Sequence, residues 1–335
     1  MRIIDSHYHW LPRSVFDALC ERSETPRARI NDIGGYDYLT ADARGKPAAL
    51  WGEWFDLDKQ FEYYGSLGHD VSAVNTFGPP AVIVSDLPAV EGREMALAWN
   101  DEMAAAQERY VGRFWSTAVV PLADTCVALE ILNHAILDQG LLGVSLPATV
   151  GPDARLDAAR LEPFYARAEE LGVPLFLHPS DAVFAEMLSD DYDGALHLSL
   201  GRVFEVSAAA ARIVFSGILE RHPDLKLITS HAGGDLPFQS RRIDKYHKNT
   251  KLRDLPSVSI RRMYTDTALP DASSIAFAIK YFGIDHVMYG TDYPCCMPGP
   301  VLEMIEELGL SDIDRQKLFY DNAVRILGLK VQVGA

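Results

Sequence analysis

The chain has 335 residues, of which 48% are hydrophobic and 23% are charged. This composition is typical of a globular protein of one or two domains and excludes a disordered or fibrous chain. Acidic residues outnumber basic ones, 47 to 31, and the resulting net charge of −16 argues against a nucleic-acid or membrane-surface partner, because phosphate groups would be repelled.

The sequence also limits the compartment and the use of cysteine. No apolar run approaches the ~20 residues that cross a bilayer, and the first residues enter a strand pattern without the features of a signal peptide. We therefore expect a cytoplasmic protein that is not bound to a membrane. The cysteines lack the spacing of a zinc knuckle or of a disulfide framework; they are Cys20, Cys126, Cys295 and Cys296.

Short β-branched runs alternate with segments of helical periodicity. The predicted strands cover residues 2–5, 71–75, 116–120, 143–146, 174–178, 226–230, 263–266 and 286–290. The predicted helices cover residues 57–64, 93–110, 126–139, 158–171, 206–221 and 272–282. This alternation indicates right-handed βαβ crossovers and a parallel sheet.

Eight such units predict a closed (β/α)8 TIM barrel that forms a single domain over residues 1–335. An open, doubly wound sheet is the alternative. Such a sheet usually has a glycine-rich phosphate loop after its first strand, where this chain has His7 and His9.

Residues 11–55 interrupt the alternation and show no clear periodicity. An excursion after the first strand emerges on the catalytic face of a barrel. We therefore expect an insertion that acts as a lid over the site or makes a subunit contact, with a simple surface extension as the alternative.

Metal-binding side chains follow four of the eight predicted strands. These side chains are His7 and His9, then His178, His231 and Asp292. The carboxyl ends of barrel strands are the place where active sites form, and residues two apart on a strand point to the same side. A set of imidazoles with one carboxylate suits Zn²⁺, Mn²⁺, Fe²⁺ or Co²⁺ rather than Ca²⁺ or Mg²⁺.

We therefore predict His7, His9, His178 and Asp292 as metal ligands, with a position left open for water or substrate. The alternative is that the buried histidines only hydrogen-bond to one another. His231 precedes small residues and is interpreted as an acid/base, with a further metal ligand as the alternative. Asp5 either orients a ligand or forms hydrogen bonds at the strand end.

Four motifs together resemble the amidohydrolase superfamily, and more narrowly its decarboxylase-rich branch, which is typified by aminocarboxymuconate-semialdehyde decarboxylase. The motifs are the pair His7 and His9, then Phe176-Leu177-His178-Pro179, Ser230-His231-Ala232-Gly233-Gly234 and Tyr289-Gly290-Thr291-Asp292-Tyr293-Pro294. The resemblance covers nearly the whole chain and is weakest over residues 11–55.

The resemblance implies a barrel that holds one divalent transition metal, with zinc expected first and manganese second. It implies the four metal ligands that were predicted above from the strand ends, and it assigns proton transfer to His231 beside Asp292. Binuclear members carry a bridging lysine after strand 4, where this chain has Ser145-Leu146-Pro147. The missing lysine favours a mononuclear site.

For the substrate, the resemblance implies a small carboxylate whose second anionic group is bound by an arginine. Arg242 matches the family position, and Arg241 is its neighbour. In this family such an arginine can reach the adjacent subunit, so we expect a homodimer or a higher homo-oligomer. Trp51 and Phe184 are further candidates for the substrate site.

The resulting prediction is a non-oxidative decarboxylase acting on a small aromatic or unsaturated carboxylic acid. The same machinery would serve a hydrolase that uses a metal-activated hydroxide on a C–C, amide or lactone bond. A barrel that only binds its ligand is a third possibility, and the intact set of histidines argues against it.

Overall fold

The computed structural model describes residues 2–40, 48–149, 155–180, 188, 192–248, 251–269 and 271–330. Its strands are β1 (Arg2–Tyr8), β2 (Arg27–Ile30), β3 (Tyr36–Leu39), β4 (Ala48–Leu50), β5 (Asp70–Asn75), β6 (Phe114–Ser116), β7 (Val144–Pro147), β8 (Pro174–His178), β9 (Lys226–Thr229), β10 (Tyr264–Asp266) and β11 (Val287–Met288).

Helices occupy most of the connections between these strands. They are α1 (Arg13–Cys20), α2 (Leu57–Ser66), α3 (Pro79–Asp86), α4 (Ala89–Arg109), α5 (Thr125–Asn133), α6 (Glu162–Glu170), α7 (Arg202–Phe215), α8 (Ile218–Arg221), α9 (Leu236–Tyr246), α10 (Pro256–Arg262), α11 (Ala272–Phe282), α12 (Pro298–Glu307), α13 (Asp312–Gln316) and α14 (Asn322–Leu327). Among the described helices, none combines the length and apolar character that crossing a bilayer requires.

The parallel strands close into a barrel. One sheet has the order β1-β5-β6 and another has the order β11-β10-β9-β8-β7. Isolated parallel bridges join the two sheets, from Ala118 to Val144 and from Tyr8 to Tyr293. The predicted (β/α)8 barrel is therefore confirmed, and the doubly wound alternative is wrong.

Some predicted boundaries are shifted. The first strand continues through Tyr8, so His7 lies inside β1 rather than after it. The third barrel strand ends at Ser116, and Ala118 beyond it forms only an isolated bridge. The helix predicted over residues 206–221 is broken at Gly217, whose φ of +79° is left-handed and ends α7 before α8 begins.

A small apolar cluster separates the two ends of the barrel. Single side chains from five strands pack together with α14; they are Ile4, Val74, Phe176, Ile228 and Met288. The Asn322 side chain of α14 donates to the carbonyl oxygens of Ile284 and Val287, at 2.7 and 2.8 Å. Helix α14 therefore covers the amino ends of the strands, and the carboxyl ends stay available for chemistry.

The segment predicted as an insertion has structure of its own. Within residues 11–55 lie α1 and an antiparallel sheet of the order β2-β3-β4. Phe16 of α1 packs against Tyr36, Phe55 and Trp99, with ring centroids 5.3, 5.3 and 5.8 Å away. Periodicity did not indicate these elements because the strands are only three or four residues long.

Candidate metal centre

Four histidines and one aspartate meet at the carboxyl ends of the strands. The ring centroid of His7 lies 5.1 Å from that of His9, 5.2 Å from that of His178 and 5.1 Å from that of His231. Ligand atoms of His7, His178, His231 and Asp292 all lie within 4.8 Å of one another. The structure thus brings together the residues that were predicted as ligands and as the acid/base.

Hydrogen bonds fix the tautomers of three of these imidazoles. His178 Nδ1 lies 2.8 Å from the Pro179 carbonyl oxygen, and His231 Nδ1 lies 3.0 Å from the Ala268 carbonyl oxygen. Because a carbonyl oxygen only accepts, each Nδ1 carries the proton and each Nε2 keeps its lone pair. His7 Nδ1 donates in the same way to Asp266 Oδ2, at 2.8 Å.

The buried Nε2 atom of His178 has no hydrogen-bond partner among the described residues, and the buried Nε2 of His7 has only the Asp292 carboxylate, 3.2 Å away. Buried polar atoms are rarely left unsatisfied in native proteins. A divalent cation accepts such lone pairs, and an imidazole whose other nitrogen is hydrogen-bonded is the usual form of a metal ligand. The residues present therefore fit a transition-metal ion.

Asp292 lies between the two histidines at the end of β1. Its Oδ1 is 2.7 Å from His9 Nε2 and 3.2 Å from His7 Nε2. His9 is held on its other sides by aromatic rings, stacking on Trp54 at 5.4 Å and contacting Phe77 at 4.7 Å. Its position is consequently rigid even though one ring nitrogen, Nδ1, has no partner in the described structure.

Burial and neighbouring charges shift the pKa values of the residues in this centre. Burial opposes ionisation of Asp292, but hydrogen bonds and charge from His7 and His9 outweigh it and hold the pKa of Asp292 well below its usual range. Burial disfavours the imidazolium of His7, yet Asp266 and Asp292 raise the pKa of His7 to about 10. Burial and the neighbouring His9 and His7 hold the pKa of His178 well below its usual range. The pocket thus contains an ionised carboxylate beside a neutral imidazole.

The backbone is shaped to bring these groups together. Asp292 and His231 have φ values of +66° and +54°, a region that non-glycine residues rarely occupy and that often marks functional positions. Gly290 lies two residues before Asp292, just beyond β11, and a Cβ there would lie 2.7 Å from His7 Cβ. Glycine at this position therefore lets the last strand approach β1 closely.

Asp5 acts as a hydrogen-bond acceptor at the strand end. It accepts from His7 N at 3.2 Å, from Thr291 N at 3.1 Å, from Thr291 Oγ1 at 2.5 Å and from the Tyr64 hydroxyl. Of the two predicted roles, this favours the hydrogen-bonding one, because no imidazole of the described structure donates to Asp5. Burial raises the pKa of Asp5 to about 6.

Sequence reasoning missed two supporting contacts. Gln60 of α2 is fully buried; its Nε2 donates to the His9 carbonyl at 3.0 Å and its Oε1 accepts from Tyr8. The signal was a glutamine on the apolar face of α2, in register with Phe61 and Tyr64. Cys295, considered from the sequence only for its spacing, has its sulfur within 4.8 Å of ligand atoms of His9 and Asp292.

The predicted substrate residues are less close to the cluster. Trp51 meets Trp54 edge-on at 5.6 Å and is therefore one ring away from His9. Arg241 and Arg242 lie on the exposed side of α9, where the guanidinium of Arg242 sits 5.1 Å from the Tyr246 ring. Phe184 lies outside the described residues.

Comparison with known proteins supplies the family context. The sequence profile of the amidohydrolase family matches residues 4–329. The chain is 28% identical to 2-amino-3-carboxymuconate-6-semialdehyde decarboxylase of Dictyostelium discoideum, over 70% of this chain and 67% of that protein. It is 25% identical to gamma-resorcylate decarboxylase of a Polaromonas species, over 81% of this chain and 87% of that protein.

A solved structure has the same fold. It is dihydroxybenzoic acid decarboxylase from a Polaromonas species with bound manganese and the inhibitor 2-nitroresorcinol. The TM-score is 0.78 at 21% sequence identity, over 98% of each chain.

Proposed function

The chain belongs to the amidohydrolase family, and we propose that it is a metal-dependent enzyme that removes carbon dioxide from a small aromatic or unsaturated carboxylic acid without oxidation. The observation that carries the proposal is the set of converging imidazole Nε2 atoms beside the ionised Asp292. The two sequence relatives named above are decarboxylases of such acids.

We propose His7, His9, His178 and Asp292 as ligands of a single ion. Imidazoles combined with one carboxylate suit zinc, and zinc is proposed ahead of the manganese found in the related Polaromonas structure. When bound, the ion would polarise the substrate carboxylate and an adjacent oxygen. Metal content per chain, measured by elemental analysis on protein purified without chelator, tests both the identity and the number of ions.

His231 is proposed as the group that moves the proton, with Asp292 beside it. Loss of carbon dioxide leaves an electron pair on carbon, and that carbon must receive a proton. The Nδ1 of His231 is occupied by the Ala268 carbonyl, so its Nε2 is the atom that takes a proton from solvent and delivers it. Imidazole suits this task because its ordinary pKa lies near neutral pH.

Aromatic side chains are proposed to receive the substrate body. Trp54 and Phe77 flank His9, and Trp51 extends the same aromatic wall. Because Trp51 and Trp54 belong to the segment over residues 11–55, we propose that this insertion covers the site. Limited proteolysis with and without a bound nitrophenol inhibitor checks this, since identical cleavage would count against a lid.

The arginines are proposed to act across a subunit boundary. Helix α9 carries Arg241 and Arg242 beside Phe238, whose side chain is 78% exposed. A homodimer through this helix would cover the phenylalanine and bring Arg242 or Arg241 to the partner's substrate. No disulfide joins the cysteines, all of which lie in the described part of the chain, and this supports our proposal of a reducing compartment such as the cytoplasm.

A labelling experiment tests the reaction. Enzyme loaded with zinc or with manganese is incubated in D₂O with 2,6-dihydroxybenzoate or with 5-carboxyvanillate. Decarboxylation places deuterium on the carbon that carried the carboxylate, and the Asp292→Ala variant serves as control. If neither acid releases carbon dioxide or gains ring deuterium with either metal, while an aryl lactone or amide is hydrolysed by the same preparation, the enzyme is a hydrolase and the proposal is overturned.

A further inference from the structure

The barrel has a cavity at the end opposite the histidines. Its volume is about 380 Å³, and its wall includes Lys226, Arg262, Tyr264 and His286. Lys226 and Tyr264 are the first residues of β9 and β10, and His286 precedes β11. Lys226 and His231 are five positions apart along the chain, which at ~3.3 Å per residue is roughly 16 Å. The cavity is thus separate from the catalytic end.

The cations around this cavity have no carboxylate partner in the described part of the chain. Lys226 is half-buried, and its ammonium has neither an ion pair nor a hydrogen bond there. Arg262 donates only to the carbonyl oxygens of Leu219, at 3.4 Å, and Pro223. Burial, together with the like charge of Arg325 on α14, lowers the pKa of Lys226.

No acidic group of the described residues forms an ion pair with Lys226 or Arg262. The Asp285 carboxylate pairs with Lys317 at 2.8 Å. Arg325 donates to the backbone carbonyl oxygen of Asp285 and not to its carboxylate. Asp224 lines the cavity, but its carboxylate makes no ion pair among the described residues. Holding a half-buried ammonium without a partner costs free energy, so a cationic cluster in a chain of net charge −16 needs a separate explanation.

Two aromatic rings and several apolar side chains form most of the remaining wall. The His286 ring stacks on Tyr264, with centroids 4.8 Å apart and an angle of 27° between the planes. The Nδ1 of His286 donates to the Met263 carbonyl at 3.0 Å. Leu219, Leu225 and Met263 also line the cavity, together with Pro223 and Leu227. A ligand that matches this surface has an anionic head and a flat apolar body.

We propose that this cavity binds a small organic oxyanion, whose carboxylate or phosphate head is held by Lys226 and Arg262 and whose flat body lies against Tyr264 and His286. An oxyanion offers acceptor oxygens to both cations and gives the half-buried Lys226 the charge partner that it lacks. The site does not depend on the proposed reaction, because it shares no residue with the metal centre.

Calorimetric titration of the metal-loaded enzyme tests the proposal. The probes are phenyl phosphate, benzoate, inorganic phosphate and the neutral analogue benzyl alcohol, all at equal ionic strength. We expect the aromatic anions to bind and Lys226→Met to weaken that binding at least tenfold. The matched control is Lys280→Met, which removes an exposed lysine from α11 and should leave the binding unchanged.

Further measurements on Lys226 variants distinguish loss of anion binding from loss of the fold. Lys226→Arg retains the charge and should retain binding. Lys226→Met should fold, and in the absence of ligand it should unfold at a higher temperature than the wild type, because it removes an unpaired, half-buried charge. Its decarboxylation rate without ligand should equal that of the wild type. Preference for phosphate over carboxylate, or the reverse, would identify the head group within the proposed class.

Some outcomes would overturn the proposal. These are absence of binding by every anion, equal binding of anions by the wild type and by Lys226→Met, and equal binding of benzyl alcohol and benzoate by the wild type. The last result would mean an apolar cavity that does not select for charge.

Discussion

The hydrogen bond between His7 and Asp266 illustrates how single residues set the properties of the metal centre. Asp266 Oδ2 accepts from His7 Nδ1, and its Oδ1 accepts from Ala268 N at 3.1 Å. The carboxylate is therefore anchored to the backbone of its own loop. It orients the imidazole and raises the electron density on Nε2, the atom that faces the other ligands.

Replacing Asp266 with asparagine should weaken metal binding. The amide oxygen can still accept the hydrogen bond from His7 Nδ1, but it carries no charge. The lone pair on His7 Nε2 is then less basic and binds a cation more weakly. We expect Asp266→Asn to lower metal affinity about 10- to 100-fold, measured by competition with a chromophoric chelator. Asp271→Asn, at the exposed start of α11, is the control and should bind metal as the wild type does. Unchanged affinity in Asp266→Asn would contradict this assignment.

Substitutions of His231 and of Asp292 should distinguish the residue needed for proton transfer from the residue needed for metal binding. We expect His231→Asn to keep its metal and to lose about 10²- to 10⁴-fold in turnover, the usual contribution of an acid/base. Asp292→Asn should lose both metal and activity. Elemental analysis and steady-state rates are measured on the same preparations. If His231→Asn is purified without metal, then His231 is a ligand, as its position within 4.8 Å of the other ligand atoms allows.

The residues of the site differ in how well their positions could be predicted from the sequence. His7, His178, His231 and Asp292 were predicted to meet because each lies at the carboxyl end of a barrel strand, which periodicity locates. The contact between Asp5 and Thr291 joins positions 286 residues apart, and no local pattern reports such a contact. Arg241 and Arg242 came only from a family resemblance, and the described structure of one chain leaves them on its surface.

At the level of elements, the barrel was predictable because its helices are long and periodic. Helix α11 begins and ends where the sequence indicated, between Asp271, which caps it, and Gly283, whose φ is +87°. The sheet β2-β3-β4 was not predictable, since its strands are short and carry exposed residues at alternate or adjacent positions. Such strands are defined by their pairing rather than by a core-facing pattern.

Closure of the barrel between β1 and β11 depends on Asp5. Backbone hydrogen bonds join the two ends, from Ser6 N to Tyr289 O and from Asp292 N to His7 O, each at 2.8 Å. Asp5 adds acceptors for Thr291 N and for the Tyr64 hydroxyl in the same buried region. The carboxylate thus connects the first strand, the last strand and α2.

Removing this carboxylate should destabilise the fold. In Asp5→Ala, buried donors of His7 and Thr291 lose their acceptor, and each unsatisfied donor costs about 1–3 kcal/mol. We expect a loss of at least that size in the free energy of unfolding of metal-free protein, measured with urea. Asp138→Ala, which breaks an exposed contact with His134, should change it by less than about 0.5 kcal/mol. Equal effects of the two substitutions would show that Asp5 does not support closure.

For the whole molecule, the buried charges make stability depend on pH. Without metal, the pKa of His7 is raised to about 10 from an ordinary value of 6.5. The folded state then holds a proton that the unfolded state releases. The stability that this proton provides is fully present below pH 6.5 and is lost as the pH rises through 10. Asp292 acts in the opposite sense: its lowered pKa provides stability above pH 3.8, and that stability is lost only in stronger acid.

Metal binding should remove the alkaline loss, because a cation on His7 Nε2 takes the place of the proton. We expect the free energy of unfolding of metal-free protein to fall between pH 6.5 and pH 10, with a slope of up to ~1.4 kcal/mol per pH unit. Metal-loaded protein should keep its stability over that range. The Asp266→Asn variant, in which His7 has lost one of the two carboxylates that raise its pKa, should show a shallower slope without metal. Parallel curves for the metal-free and metal-loaded protein would mean that the ion does not replace the His7 proton, and His7 would then have to be removed from the proposed ligand set.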